Sequence, residues 1–356
     1  MEGNVLFLIV FVVVIVGILM FDLLVVGRKS HEVSLKEAAL WTGIWVSLAF
    51  LFSLFLRVSG DFVHEVSSLD ELKHVLAKYY PYLGSFNGSY EEGIELLRKN
   101  LAINFISGYL IEESLSIDNI FVMMAILKAF SVRKADYKKV LLYGILGAIV
   151  MRFIFIFAGS ALISRFEWLL YIFGAYLLYT GIKMYLDRNK DTQIQPQHHP
   201  MVRFLSKRFR VFPRYVSGRF FVRKNAHLFF TPLFIVVIMI EFTDLIFAMD
   251  SIPAIFGITR DPFIVFFSNI FAILGLRSLF FIIIKVVDRF YLLKVGVAFL
   301  LFFVGMKLIA HEWLTHIGYK PVISLYVIAG TLILSIVFSL VFPKKTRVTP
   351  DGMNVD

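Results

Sequence analysis

Apolar residues run through this chain in nine long stretches, at 5–26, 37–58, 100–128, 138–161, 166–186, 228–256, 262–286, 290–310 and 321–342, separated by polar segments. About 20 apolar residues carry an α-helix across the hydrocarbon of a bilayer. The pattern therefore predicts an all-α, polytopic transmembrane bundle of about nine spans, with 1–356 as a single membrane domain. The first stretch follows Met1-Glu2-Gly3-Asn4, without a basic leader or a small-residue cleavage site, so it is expected to stay in the membrane as a span.

Composition agrees with the pattern. Of 356 residues 59% are hydrophobic and 17% charged, and the mean hydropathy is +0.79, whereas an ordinary soluble domain is roughly 25% charged. Lysine and arginine give the direction. Arg28, Lys29 and Lys36, then Arg133, Lys134, Lys138 and Lys139, then 187–225, then Lys285 and Arg289, then Lys344, Lys345 and Arg347 all fall on one side of an alternating topology. Segment 59–99, rich in acids, and the loops carrying Arg165, Arg260 and Lys320 fall on the other. The positive-inside rule then predicts a multi-pass membrane protein with its N-terminus outside and its C-terminus cytoplasmic.

The net charge of +10 does not point to nucleic acid, because the excess sits in 187–225, with ten lysines and arginines against two aspartates. Aromatic residues are interleaved there, and Leu205, Phe209 and Phe212 recur at helical spacing between Lys207, Arg208 and Arg210. A basic amphipathic stretch beside a membrane predicts an interfacial helix against anionic lipid headgroups. Absence of cysteine excludes disulfides and thiolate metal sites.

Two segments resemble each other. Asp118-Asn119-Ile120-Phe121 in the third stretch matches Asp244-Leu245-Ile246-Phe247 in the sixth, and Arg152 and Arg277 follow at nearly equal distance. Ala175-Tyr176-Leu177-Leu178-Tyr179 before Gly181 and Lys183 likewise matches Ala298-Phe299-Leu300-Leu301-Phe302 before Gly305 and Lys307. The units are 100–186 and 228–310, joined by the basic linker 187–225, with two spans ahead (5–58) and one behind (321–342). Each unit has three spans, an odd number, so the second enters the membrane from the opposite side. This predicts an inverted repeat of three plus three helices, an architecture of secondary transporters.

The candidate chemistry lies in acids at membrane depth: Glu112, Glu113 and Asp118 in one unit, Glu241, Asp244 and Asp250 in the other. A charge there costs at least about 2.5 kcal/mol and calls for a partner or a purpose. Six acids face two deep arginines, Arg152 and Arg277, so some are structural partners of arginine while others are left for a cation or protons. At about 100° per residue Glu113 and Asp118 lie about 140° apart and Glu241 and Asp250 about 180° apart. Either the helices are broken, at Ser114 and Ser116 and near Pro253 and Gly257, or some acids face arginine instead of substrate.

Oxygen donors dominate: the carboxylates, Asn119 and Asn269, and the hydroxyls of Ser114, Ser116, Thr243 and Ser251. Such a set suits a hard divalent cation. The motif from His311 to His316 has its second histidine one residue too late for a zinc-protease helix and reads as a solvated turn. His198-His199 reads as solvated. There is no phosphate-cradling loop, and no nucleophile–base arrangement that would predict an enzyme.

The runs Glu112-Glu113-Ser114-Leu115-Ser116-Ile117-Asp118-Asn119, Glu241 to Ala254, and Ser268-Asn269 to Arg277 resemble the signature blocks of the TerC family, in its Alx-like branch, and the region from Asp22 to Glu37 is similar to it as well. The resemblance implies an inner-membrane transporter family associated with manganese efflux and with tellurium resistance. The expectation is thus a secondary exporter of Mn2+ working by alternating access with proton exchange and without a resident cofactor. Asp118, Asp244 and Asp250 are its main ligands, Glu113 and Glu241 further ligands or proton carriers, and Glu112, Asn119 and Asn269 supporting groups. Arg152 and Arg277 hold a carboxylate in the empty state, and Asp22 belongs either to the inner entrance or to a pair with Arg28 or Lys29. The competing reading is a membrane scaffold of a stress-resistance system that recruits partners through the basic linker.

Overall fold

The structure, a computed structural model, describes residues 9–15, 17–18, 33–188, 211–212, 216, 218–224, 227–286, 290–316, 319 and 321–342. Asp22, most of the basic linker and the C-terminal tail lie outside the described residues. Ten helices are named here: α1 (Leu35–Ser59), α2 (Leu69–Tyr79), α3 (Tyr90–Ala129), α4 (Lys134–Arg165), α5 (Leu169–Asp187), α6 (Pro232–Phe256), α7 (Pro262–Val286), α8 (Leu293–Ile309), α9 (His311–His316) and α10 (Pro321–Val341). Residues 9–15 and 17–18 are also helical. Among the described residues six segments are long and apolar enough to cross a membrane: Leu35–Val63, Lys134–Arg165, Leu169–Asp187, Pro232–Phe256, Pro262–Lys285 and Val322–Val341. The chain is an all-α membrane protein.

Local chemistry sets the helix starts. Ser34 and Ser68 accept the N–H groups of Glu37 and Glu71 to open α1 and α2, and Ser89 with Glu92 forms a reciprocal capping box at α3. Pro232 opens α6 in the first turn, where its missing N–H costs nothing. Asp261 Oδ1 accepts the Phe263 N–H at the start of α7.

Helix α3 is 40 residues long, about 60 Å at 1.5 Å per residue and twice the roughly 30 Å hydrocarbon thickness. It begins ten residues before the predicted span and runs unbroken through Ser114 and Ser116. Helix α6 is likewise continuous through Pro253, which falls in its last turn. The expectation of broken helices is therefore corrected. The hydroxyls fold back on their own helices, Ser114 onto Ile111 O at 2.6 Å and Thr243 onto Ile240 O at 2.8 Å. Helix α3 packs against α1, α2, α6, α7, α8 and α10, so acids spread around it meet different neighbours without any break.

Loops sort onto two faces. On one, expected to be outside, His64 meets Asp261 at 2.6 Å, Arg260 meets Glu167 at 2.9 Å, and the Tyr171 hydroxyl donates to Glu312 at 2.8 Å. On the other, Lys138 faces Glu37 at 3.9 Å and Lys139 donates to Gly218 O at 2.6 Å. Phe11 ties the N-terminal helical segment to the core, its ring 4.6 Å from Phe267 and 5.7 Å from Phe52.

Helices α5 and α8 pack antiparallel at closest approach. A Cβ on Gly174 would lie 2.9 Å from Gly305 O, one on Gly305 2.8 Å from Gly174 O, and one on Gly181 2.8 Å from Ala298 O. Only glycine allows backbones this near.

Two further expectations are corrected. A hairpin of β1 (Phe221–Lys224) and β2 (His227–Phe230) precedes α6, so the sixth span starts at Pro232, and Phe212 gives its N–H to Phe230 O instead of continuing a helix. The His311 to His316 stretch is a short helix, not an open turn.

Candidate functional site

Arg152 of α4 is the centre of the buried polar network, 1% exposed. Its Nη2 donates to Asp244 Oδ1 at 3.2 Å and its Nε to Oδ2 at 3.4 Å. Its Nη1 donates to Glu112 Oε1 and to Asn269 Oδ1, with Ser251 Oγ at 3.5 Å. Asn269 is oriented by its own amide, which donates to Val265 O at 3.0 Å. The four helices α3, α4, α6 and α7 thus each contribute to one knot, two from each sequence unit. Two carboxylates face one guanidinium, so the knot carries one negative charge more than it cancels when both acids are ionised. An arginine this deep is held by pairing and by the fork geometry that matches it to a carboxylate.

The remaining acids lie outside the Arg152 knot. Glu113 lies over Gly275 of α7, where a Cβ would sit 3.6 Å from its Oε1, and Glu241 lies against Gly147 of α4, where a Cβ would overlap its carboxylate. Glu112 Oε2, Glu113 Oε2 and Glu241 Oε1 are buried without a hydrogen-bond partner among the described residues. Asp250 accepts from Thr180 Oγ1 at 3.4 Å and from the Tyr176 hydroxyl, with Lys183 in electrostatic reach. Asp118 feels Lys294 and Asp250, and the Lys294 ammonium rests 4.4 Å from the Phe121 ring centre. Asn119 is buried on α3. Arg277 and Asp244 line a small cavity of about 10 Å3 between α4, α6 and α7, room for about one water.

The structure therefore joins Asp244 with the supporting residues Glu112, Arg152 and Asn269. It does not bring Glu113, Asp118, Glu241 and Asp250 to that point, and among the described residues no group of three or more histidines or acids is placed to hold a metal ion. Lys294, Tyr176, Thr180, Gly147 and Gly275 were not singled out by sequence reasoning. A charge inside the predicted 290–310 span was the signal for Lys294. The glycines and hydroxyls gave none, because only packing reveals what they touch. The polar atoms around the knot are otherwise oxygen donors, a set that fits a hard cation.

The residues that build the knot fall inside a matched family region: residues 97–347 fit the model described as "Integral membrane protein TerC family". The chain belongs to this family. Relatives include the protein named "Putative membrane-bound redox modulator Alx" from Salmonella typhi, 44% identical over 330 residues and 92% of each chain. The protein of the same name from Escherichia coli (strain K12) is 42% identical over 330 residues, again 92% of each chain. "Uncharacterized membrane protein STKORF319" from Myxococcus xanthus is 40% identical over 340 residues, 96% of this chain and 92% of its own. No solved structure matches. The family match spans all of α4 to α10 and the acid-bearing part of α3.

Proposed function

We propose that this protein is a secondary transporter that exports a divalent cation, Mn(II) foremost, by alternating access and in exchange for protons. The observation that carries the reading is the buried clamp of Arg152 between Glu112 of the first unit and Asp244 of the second. In the empty transporter the guanidinium offsets one of these two carboxylate charges and holds the two units together. A divalent cation arriving at Asp244 competes with Arg152 for the same oxygens, so its binding favours whichever arrangement releases the clamp. Buried carboxylate oxygens without donors, at Glu112, Glu113 and Glu241, are costly unless a proton or cation occupies them. Asp118 and Asp250 supply further oxygen positions along the path.

Reciprocal geometry supports an inverted repeat within a nine-span bundle. Glu113 of the first unit meets a glycine in the second helix of the other unit, and Glu241 of the second unit does the same in return. The mutual approach of Gly174 and Gly305 has the same character. The positive-inside pattern supports an outer N-terminus, and the basic stretch within 187–225 suits anionic lipid. No enzymatic step and no resident cofactor belong to this reading. The oxygen set alone suits Mn, Mg or Ca alike; the family resemblance singles out manganese.

The relatives' names speak of redox modulation. With no cysteine in the chain, thiol exchange is not open to this protein, and a metal exporter would alter redox balance through the ion it removes. A scaffold acting through the basic linker is the second reading. Proteoliposome flux across a panel of divalent ions, with a proton-sensitive dye inside, separates the two. Saturable Mn(II) movement with counter-moving protons is expected; a purified protein that moves no divalent ion under any gradient overturns the transporter reading.

A further inference from the structure

At the face expected to lie outside, the α6–α7 turn, the end of α8, α9 and the start of α5 enclose a cavity of about 60 Å3, room for several waters. It adjoins a cleft of about 280 Å3, sharing walls at Leu170, Arg260 and His311. Three basic side chains converge there. Lys307 is half-buried in the last turn of α8, donates to Ser324 Oγ at 2.9 Å and lies 5.3 Å from the Tyr319 ring centre, both neutral groups. Among the described residues no carboxylate stands within salt-bridge distance of it. Arg260 pairs with Glu167, a carboxylate 72% exposed to water.

The other Arg260 Nη reaches His311 Nε2, and since a guanidinium can only donate, that nitrogen is the acceptor. Burial, with the Arg260 and Lys307 cations beside it, pushes His311 below its ordinary pKa against the opposing pull of Glu167 and Glu312. Glu312 is itself engaged by Tyr171. Among the described residues no carboxylate lines the cavity of about 60 Å3 itself, since Glu167 and Glu312 both stand in the adjoining cleft; Lys307 and Arg260 face it, and the Thr259 hydroxyl in its wall accepts the Asp261 N–H, leaving its own proton to donate. This is opposite in sign to the acid-rich knot around Arg152.

We infer that this cavity is a binding site for a small inorganic anion, held by Lys307 and Arg260. The anion supplies the counter-charge that the lysine otherwise lacks in a half-desolvated setting. The inference does not depend on the transport reading, since it concerns a separate cavity of opposite charge.

The test uses the full chain in nanodiscs, with sodium sulfate, and in a second series sodium chloride, titrated against sodium gluconate at constant ionic strength so that general screening is cancelled. A site that binds the folded state gives a saturable rise of the thermal midpoint, and the bound charge moves the His311 pKa upward in histidine NMR, with His311→Gln assigning the signal. Lys307→Met is expected to abolish both effects and Lys307→Arg to keep them. Where Lys307→Met does not fold, Arg260→Gln is read in the same way, expected to weaken the apparent affinity at least tenfold. A response to either anion that depends on Lys307 supports the site. Absence of any response beyond gluconate, or a Lys307→Met protein that responds as the unaltered one does, overturns it.

Discussion

Arg152 grips Asp244 of the other unit side-on, Nη2 to Oδ1 at 3.2 Å and Nε to Oδ2 at 3.4 Å, while its remaining Nη reaches Glu112 of its own unit. One guanidinium therefore ties together acids that the sequence separates by more than a hundred residues. A clamp of this kind is both a structural necessity and an obstacle that a substrate cation must displace.

Asp244→Asn keeps the shape of the clamp and removes its charge. Mn(II) flux in proteoliposomes is expected to fall at least tenfold, and Asp118→Asn to raise cellular manganese under load while the protein still reaches the membrane. Unaltered extrusion by both variants would sink the assignment of these acids.

Arg152→Gln strands two buried carboxylates and is expected to cost about 3–5 kcal/mol of stability, read as a lower thermal midpoint in detergent. Arg152→Lys is expected to recover only part, because an ammonium cannot make the two-pronged contact. The double change Arg152→Gln with Glu112→Gln should be more stable than Arg152→Gln alone.

Two glycines separate function from packing. At Gly147 the three atoms nearest an added Cβ all belong to the flexible end of Glu241, so Gly147→Ala should displace that carboxylate and reduce flux with a smaller stability loss than a clash against backbone brings. At Gly305 the added Cβ meets the Gly174 backbone oxygen at 2.8 Å, which cannot swing aside. Gly305→Ala should cost about 1–3 kcal/mol. Equal stability of the two variants would contradict the helix contact.

Ser89→Ala removes half of the α3 capping box, worth about 1 kcal/mol. The loss is local: amide exchange at Tyr90 to Gly93 should quicken while flux stays unchanged. Slower flux would mean that the N-terminal extension of α3 takes part in transport.

His311 titrates lower in the folded chain than its ordinary value of about 6.5. Between the two values the unfolded chain binds more protons, so stability rises with pH in that window and is lost as pH falls below about 6.5. His311→Gln should remove this portion of the acid sensitivity, seen as a flatter plot of thermal midpoint against pH.

Membrane class, the all-helical architecture and the family were legible along the chain, because runs of apolar residues about 20 long have one stable outcome in a bilayer. The pairing of Arg152 with acids was also anticipated, since six acids and two arginines at depth demand it. Helix continuity was not, because angular spread on an isolated helix looks like a conflict. Seated among six neighbours, α3 gives each acid its own surface to face, as Glu112 faces Arg152 while Glu113 faces Gly275.

What the sequence by itself determined, then, is that this is an all-α membrane protein with acids and arginines at depth, a consequence of solvent preference acting residue by residue. Only tertiary structure decided which acid meets which arginine, that Asp250 is bonded by Tyr176 and Thr180, and that Lys307 and Arg260 share a cavity. Those outcomes rest on the rotation and crossing of packed helices, which no local run of residues encodes.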